Sequence, residues 1–476
     1  MRNGHARVPV SLPDAVPLLD EADVVVVGGG PGGIGAAVAA AREGADVLLV
    51  EHYGFLGGMA TAGEVNPFMN NHLGGQSLDT GVFEDWLARI LAYGGARKSS
   101  RIFDPYIARL AAEDLCVEAG VRLLYHHRTA HAETRDRRLD TLVLHSKSGL
   151  SAVKADTFID STGDGDVAAL AGCRFEIGDE QHGHCQPMTL CFKLKLDPRA
   201  VADDAEAGDG DLYQQVMRQL DHIHEVYTRA QAEGRIDCPR ENVLMFRGVD
   251  DDLVHFNTTR VIAKSSIDGR QLSEAEVQGR RQLRQLVDLL RDEVPVFRHC
   301  RIHSIAPQIG IRESRRIVGR NYVTFDDFKA GRRFEDAVAR VTYMVDIHSP
   351  TGKGTQHVHL PKGQWYEVPW GCLLSADLDN LAIGSRCISV DHAVHSSVRV
   401  MAPVCSLGQA AGTAAGLARQ RGVAVSEIEG RALRRTLIDR GRNLLLDHEP
   451  VSYPDAPVDE EKLEAVASKT AARFSA

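Results

Sequence analysis

The sequence has no apolar run approaching the ~20 residues of a helical membrane span. It also lacks an excess of positive charge. Lys and Arg number 55 against 65 Asp and Glu, a formal charge of -10, and such a balance repels phosphate backbones and anionic lipid headgroups. Nucleic acid and membrane are accordingly excluded as expected partners. The 9 cysteines form no C-x-x-C pair and are odd in number, which argues against a disulfide framework or a thiolate zinc site. A cytoplasmic location is expected, because Met1 to Asp20 carries Pro13, Asp14, Pro17 and Asp20 where a leader would be basic and then apolar.

Glycine is what the chain has in quantity, 44 of 476 residues, much of it in short clusters that imply close backbone approach. With 43% hydrophobic and 25% charged residues, a chain this long supports two or three lobes with ample core. Val24 to Val27 and Val47 to Val50 read as strands buried on both faces. Between them lie Gly28-Gly29-Gly30-Pro31-Gly32-Gly33 and a small-residue helix from Ile34 to Arg42. Gly28, Gly30 and Gly33 fill a G-x-G-x-x-G: the first allows the turn, the second lets the backbone reach a pyrophosphate, and the third lets the helix lie close. Pro31 and Gly32 complete this cradle. Glu51, just past the second strand and followed by His52, is placed to accept ribose hydroxyl hydrogen bonds. Strand, glycine turn, helix, strand and acid in that order predict a dinucleotide site, and leave FAD and NAD both open.

A second glycine-rich loop follows, Leu56-Gly57-Gly58-Met59-Ala60-Thr61, where NAD enzymes usually continue into a helix. With the acid and short spacer before it, this run resembles the FAD-dependent oxidoreductase family related to fumarate reductase and succinate dehydrogenase flavoproteins. The resemblance recurs in Ile159 to Gly172, which contains Thr-Gly-Asp-Gly-Asp, in Gly310 to Val323, and in Asn380 to Gly412. It implies FAD as cofactor, with Gly57 to Thr61 crossing the pyrophosphate, Thr129 near the adenine, Gly163 and Asp164 in a second nucleotide motif, and Gly384 and Arg386 in a final one. Reading Pro403 as the first helical position places free amides near Val404 and Cys405, where a positive helix end would stabilise charge on flavin N1 and O2. The implied fold is α/β: a Rossmann-like FAD-binding domain, parallel sheet with helices, at 20–181 and 376–424. An inserted α+β cap is expected at 182–375, of which 302–323 is left open to return to the FAD domain. A helical tail at 425–476 completes the chain.

The expected cap carries a strand at Met188 to Leu196, helical periods at Leu212 to Glu233 and Leu272 to Leu290, and a solvated acidic loop at Asp203 to Asp211. On a helix, Arg312 and Arg316 would sit one turn apart, with Arg315 beside Arg312, forming forks suited to a carboxylate or phosphate. An ion-pair network with Glu313 is the competing account. His348 and His395, with His392, are candidate proton acceptors. His182 with His184, and His357 with His359, share one side of a strand, but no acid or thiolate completes either pair, so no metal is expected. After Pro369 the resembled family has Tyr-Arg where this chain has Trp370-Gly371; the loss of that positive charge points away from a small dicarboxylate, and Trp370 points to a flatter or more apolar ligand. The Trp-x-Trp-x-Ile-Pro pattern of flavin-dependent halogenases is absent.

No second G-x-G-x-x-G follows a strand downstream, so electrons are expected to pass directly to a substrate, to oxygen or to a partner protein. The leading expectation is a dehydrogenase or oxidase that moves a hydride between a small organic substrate, anionic or aromatic, and flavin N5. The alternatives are a reductase of an activated double bond, resembling fumarate reductase, and a flavin-binding relay without turnover. Homo-oligomerisation is left open.

Overall fold

The computed structural model describes residues 13–97, 101–179, 182–199 and 211–444. The acidic stretch 203–210 and the tail from 445 onward lie outside the described residues.

Leu18–Val27 is the central strand of a seven-stranded sheet. On one side it runs parallel to Val47–Val50 and, through it, to Arg122–Leu124; on the other it runs parallel to Gly149–Asp160. Its four valines, Val24 to Val27, are at most 4% exposed, as a strand covered on both faces requires. The end of Gly149–Asp160 pairs in parallel with Leu381–Ile383, and its beginning joins the antiparallel strands Arg138–Ser146 and Arg128–Arg135. One parallel core is thus assembled from three separated stretches of chain, with helices against it: an α/β dinucleotide-binding fold.

Two small-residue helices, Pro31–Arg42 and Met401–Arg421, pack on one another above this sheet. A Cβ added at Gly408 would lie 1.8 Å from the Gly32 carbonyl oxygen, and one at Gly412 2.0 Å from that of Ala36. The small residues therefore exist because the backbones touch. Helix Pro105–Glu118 starts as its sequence predicts, Asp104 accepting from the Tyr106 and Ile107 amides at 2.7 and 3.2 Å.

A second hydrophobic core runs from Met188 to Ile311. Its antiparallel sheet has the order Met245–Arg247, Leu253–Phe256, Phe192–Lys195, Arg301–Ile305, and helix Gly269–Glu293 buries Leu283, Leu286 and Leu290 against it. The expected cap range of 182–375 is too long for this core. Ile317, Val341, Val368 and Leu374 pack in the first core, because the antiparallel pair Ala337–Val341 and Tyr366–Pro369 lies against helix Met401–Arg421.

Among the described residues no single helix is long and apolar enough to cross a membrane. His392–Val398 and Met401–Arg421 pass that test only as a pair bent by 94°, and both are buried within the first core.

Candidate active site

The sheet's C-terminal edge opens into a cavity of about 1040 Å³ that continues under the cap. Gly28, Gly30, Pro31 and Gly32 line one wall, and Gly58 and Met59 cross it. Gly28 sits at φ +95°, and a Cβ there would lie 2.4 Å from the Ser161 carbonyl oxygen, so no other residue makes this turn without displacing the neighbouring strand. The helix that follows begins at Gly30 with no side-chain cap and no acid in its first turn. Its amides are left to a ligand, and an anion is the ligand they favour.

Glu51 is 4% exposed. It accepts from the Gly29 amide at 2.6 Å and the Tyr53 amide at 2.9 Å, with His52 Nδ1 2.9 Å away. Burial pushes its carboxyl up, but His52 and these two amides outweigh it and hold it below the usual range. An ionised Glu51 with lone pairs to spare suits ribose hydroxyls. Thr129, on strand Arg128–Arg135, lines the same end of the cavity. Gly163 and Asp164 line the opposite wall, where Arg386 donates to Asp164 Oδ1 at 3.0 Å and Arg315 to the Asp164 carbonyl at 2.8 Å. The orphaned helix amides and the acid at the ribose position fit an FAD dinucleotide, which none of these contacts would need to break.

Other expected cofactor residues face away from the cavity. Gly33 packs on Gly28, where a Cβ would lie 1.8 Å from the Gly28 carbonyl oxygen. Gly57 is the left-handed hinge before the turn Gly58–Ala60; Ala60 is fully buried, and Thr61 donates back to the Leu56 carbonyl at 2.6 Å. Gly384 accepts from Ser161 Oγ at 3.0 Å and abuts Gly32. These residues shape the loops that carry their neighbours. Helix Met401–Arg421 departs from expectation as well. It begins at Met401, so Pro403 is its third residue, and Val404 already donates to the Val400 carbonyl at 3.1 Å. The free amides are those of Met401 and Ala402. Val404 lines the cavity beside Val400 and Met401, whereas Cys405 is fully buried with its backbone carbonyl against Gly35.

Under the cap the walls are charged. Arg312 lines the cavity and donates to the Pro187 carbonyl at 2.8 Å, Thr189 Oγ1 at 2.5 Å and Asn257 Oδ1 at 3.3 Å. Burial and then the neighbouring Arg399 and Arg240 push its guanidinium down to about 9, so it remains charged at neutral pH. Arg240 is 5% exposed, lines the cavity, and has Nη1 buried without a partner among the described residues. Arg399, also at the wall, donates to the Asp346 carbonyl at 3.2 Å. Neither Arg240 nor Arg399 was singled out by sequence: Arg240 lies outside every motif, and Arg399 lies in the Asn380 to Gly412 block without a chemical signal of its own.

Arg316 is a correction. The chain from Arg312 is extended rather than helical: Arg315–Ile317 pairs with Phe175–Ile177, so Arg312 and Arg316 do not share a helix face. Arg316 is 2% exposed and spends its donors on the Val390 carbonyl at 2.9 Å, the Gly178 carbonyl at 2.9 Å and Glu313 Oε1 at 2.8 Å. It anchors protein to protein. His395 is likewise off the cavity, fully buried, with neither ring nitrogen partnered among the described residues; burial drives it well below its ordinary pKa. Trp370 does not meet a ligand either: it is 2% exposed and donates Nε1–H to the Ile428 carbonyl at 3.1 Å.

His348 does line the cavity. Its Nδ1 lies 3.1 Å from Arg260 Nη2, and since a guanidinium can only donate, Nδ1 is bare and the ring proton sits on Nε2, 3.5 Å from Asp346 Oδ1. Burial, and then Arg312, push its pKa down to about 3. The pair His182 and His184 does find an acid, Asp179, one carboxylate oxygen of which gathers with one ring nitrogen of each histidine within 4.8 Å on a turn where both histidines are exposed. It is the one such group among the described residues, and it lies away from the cavity wall.

Fold and cradle together define a flavin-type dinucleotide-binding oxidoreductase. The model of the FAD dependent oxidoreductase family matches residues 23–437, and the chain belongs to that family. It is an enzyme, and FAD is its cofactor. Comparison with curated proteins finds no match. Similar solved structures include a geranylgeranyl bacteriochlorophyll reductase-like protein from Thermoplasma acidophilum, at 11% identity and TM-score 0.42, covering 88% of this chain and 84% of that one. Another is the L-proline dehydrogenase from P. horikoshii, at 10% identity and TM-score 0.40, covering 88% and 99%. A flavin-dependent brominase has 12% identity and TM-score 0.43, covering 88% and 83%.

Proposed function

We propose that this oxidoreductase dehydrogenates a small organic acid, its carboxylate received by Arg240, Arg312 and Arg399 at the cap end of the cavity. The observation that carries the reading is the meeting of three arginines at one end of the cavity, where Arg240, itself a lining residue, has a buried Nη1 without a partner among the described residues. An unpaired buried donor costs free energy, and a carboxylate would recover it through a charge-assisted hydrogen bond. FAD supplies a two-electron oxidant that accepts hydride from the substrate. The protein orients the acid by its carboxylate and excludes water beneath the cap, while the helix beginning at Met401 presents its amides where negative charge would develop.

The relation to fumarate reductase flavoproteins, with the reaction run as reduction of an activated double bond, is the second reading. The same arginines would hold an unsaturated acid. The single parallel sheet among the described residues supports delivery of electrons to or from oxygen or a partner protein rather than a built-in nicotinamide domain. We place the enzyme in the cytoplasm.

A panel of 2-hydroxy, 2-amino and saturated carboxylic acids, mixed anaerobically with the holoenzyme, is expected to bleach the flavin's visible absorbance for at least one class. Arg240→Met should then raise KM by about 10- to 100-fold, the loss of one charged hydrogen bond. Equal bleaching by the matching neutral amides or esters would sink the carboxylate reading. Reoxidation of pre-reduced enzyme by unsaturated acids, with no bleaching by saturated ones, would favour the reductase.

A further inference from the structure

We propose that His357, oriented by Asp346, is the residue that takes the substrate's proton as hydride leaves for the flavin. The proposal rests on the carboxylic-acid reading above and adds the acid–base partner that it lacks.

The two histidines at the cavity differ in which ring nitrogen is free. Val345–His348 and Thr355–Val358 form an antiparallel hairpin whose register sets Asp346 directly opposite His357. On this hairpin His357 Nε2 lies 3.1 Å from Asp346 Oδ1. Asp346 is itself fixed on three further sides. Its amide donates to Ser396 Oγ at 3.0 Å, Arg399 lies 3.6 Å from Oδ2, and His348 Nε2 lies 3.5 Å from Oδ1. The Asp346 carboxylate is held far below its ordinary range, burial opposing and the two histidines prevailing, so it stays ionised. An ionised acceptor on Nε2 puts the ring proton there and leaves Nδ1 of His357 bare. His348 is the reverse case: Arg260 occupies its Nδ1, and its Nε2 proton faces Asp346, so it has no nitrogen for a substrate. Both histidines line the cavity, but only His357 has a basic lone pair to offer it.

Exposure separates them too. The His357 side chain is 45% exposed and that of His348 8%. Asp346 raises the His357 pKa, first through the hydrogen bond and then through its charge. The other groups facing the ring are Glu241, which raises it further, Arg240, which lowers it, and His359, whose ring centroid is 6.3 Å away just past the end of the strand. In the balanced step the substrate's C–H hydrogen departs with its electron pair to FAD, which is reduced by two electrons. The adjoining O–H or N–H bond breaks, its proton passes to His357 Nδ1, and its electrons form the new C=O or C=N bond.

The test has two arms. With holoenzyme carrying ¹⁵N-labelled histidine, the His357 ring is expected to titrate above the ordinary ~6.5, and Asp346→Asn should lower its midpoint. A midpoint below that value, or one indifferent to Asp346→Asn, overturns the dyad whatever the substrate. With the acid that bleaches the flavin best, His357→Asn should slow anaerobic reduction by about 10²- to 10⁴-fold and remove the loss of rate at acid pH. Substrate Kd should be unchanged. His357→Asn reducing the flavin at the wild-type rate would overturn the proposal. Failure of every acid to bleach the flavin counts against the carboxylate reading instead, and the titration arm then decides the dyad alone.

Discussion

At the scale of single residues, burial and partners decide which charged groups serve chemistry and which serve the fold. Arg312 and Arg316 look equivalent in the sequence. One lines the cavity, and the other is saturated by the Val390 and Gly178 carbonyls and Glu313. Glu313 also accepts from His392 Nδ1 at 2.8 Å and from the Gln186 amide at 3.0 Å, so it is the centre of a buried polar knot. Removing one member leaves buried charge uncompensated. Arg316→Met is therefore expected to cost about 3 kcal/mol or more in denaturant unfolding, with the surviving folded enzyme keeping its KM for the acid. A raised KM with unchanged stability would return Arg316 to the substrate site. The competing account in the sequence, an ion-pair network through Glu313, is the one these contacts support.

At the scale of elements, the nucleotide half was legible because each part of it is local. Gly28 to Gly33, Glu51 and the loop at Gly58 are adjacent in the chain, and a glycine cluster after a valine run has few physical explanations. The start of helix Met401–Arg421 was misplaced by two residues, since proline suits any position of a first turn, where amide hydrogens are unspent anyway. Its small residues were legible as close packing, and the distances make that quantitative. Gly412→Val would drive side-chain atoms into the Ala36 carbonyl, where even a Cβ lies at 2.0 Å. It is expected to lower stability by about 3 kcal/mol, at the upper end of overpacking costs, and to weaken FAD binding with it, since the two packed helices carry the cradle and Val404. Wild-type stability in that variant would mean the helices can part cheaply.

At the scale of the whole molecule, the cavity has walls from both cores: the glycine cradle from the first, and Arg240, Asn257 and Arg312 from or beside the second. FAD bound there stabilises whatever must be folded to hold it. At a free concentration 100 times its Kd, FAD should add ~2.7 kcal/mol to unfolding, and proteolysis should slow in both lobes together. Protection confined to the first lobe would mean that the cap does not close on the cofactor.

Sequence alone determined the buried parallel strands and the dinucleotide cradle, because those depend on residues a few positions apart whose spacing is fixed by strand and helix geometry; the choice of FAD over NAD came from the resemblance carried by Leu56 to Thr61 and from the family model that matches residues 23–437. Only the tertiary structure brings together the groups proposed here for acid–base chemistry and anion binding. Arg240, the hairpin carrying Asp346 and His357, and Arg399 come from three separate stretches of the chain, and the sequence pattern assigned none of the four an acid–base or anion-binding role. Whether a histidine nitrogen is bare or an arginine unspent is a property of its neighbours in space, set by a hairpin register and by the return of the chain beneath the cap.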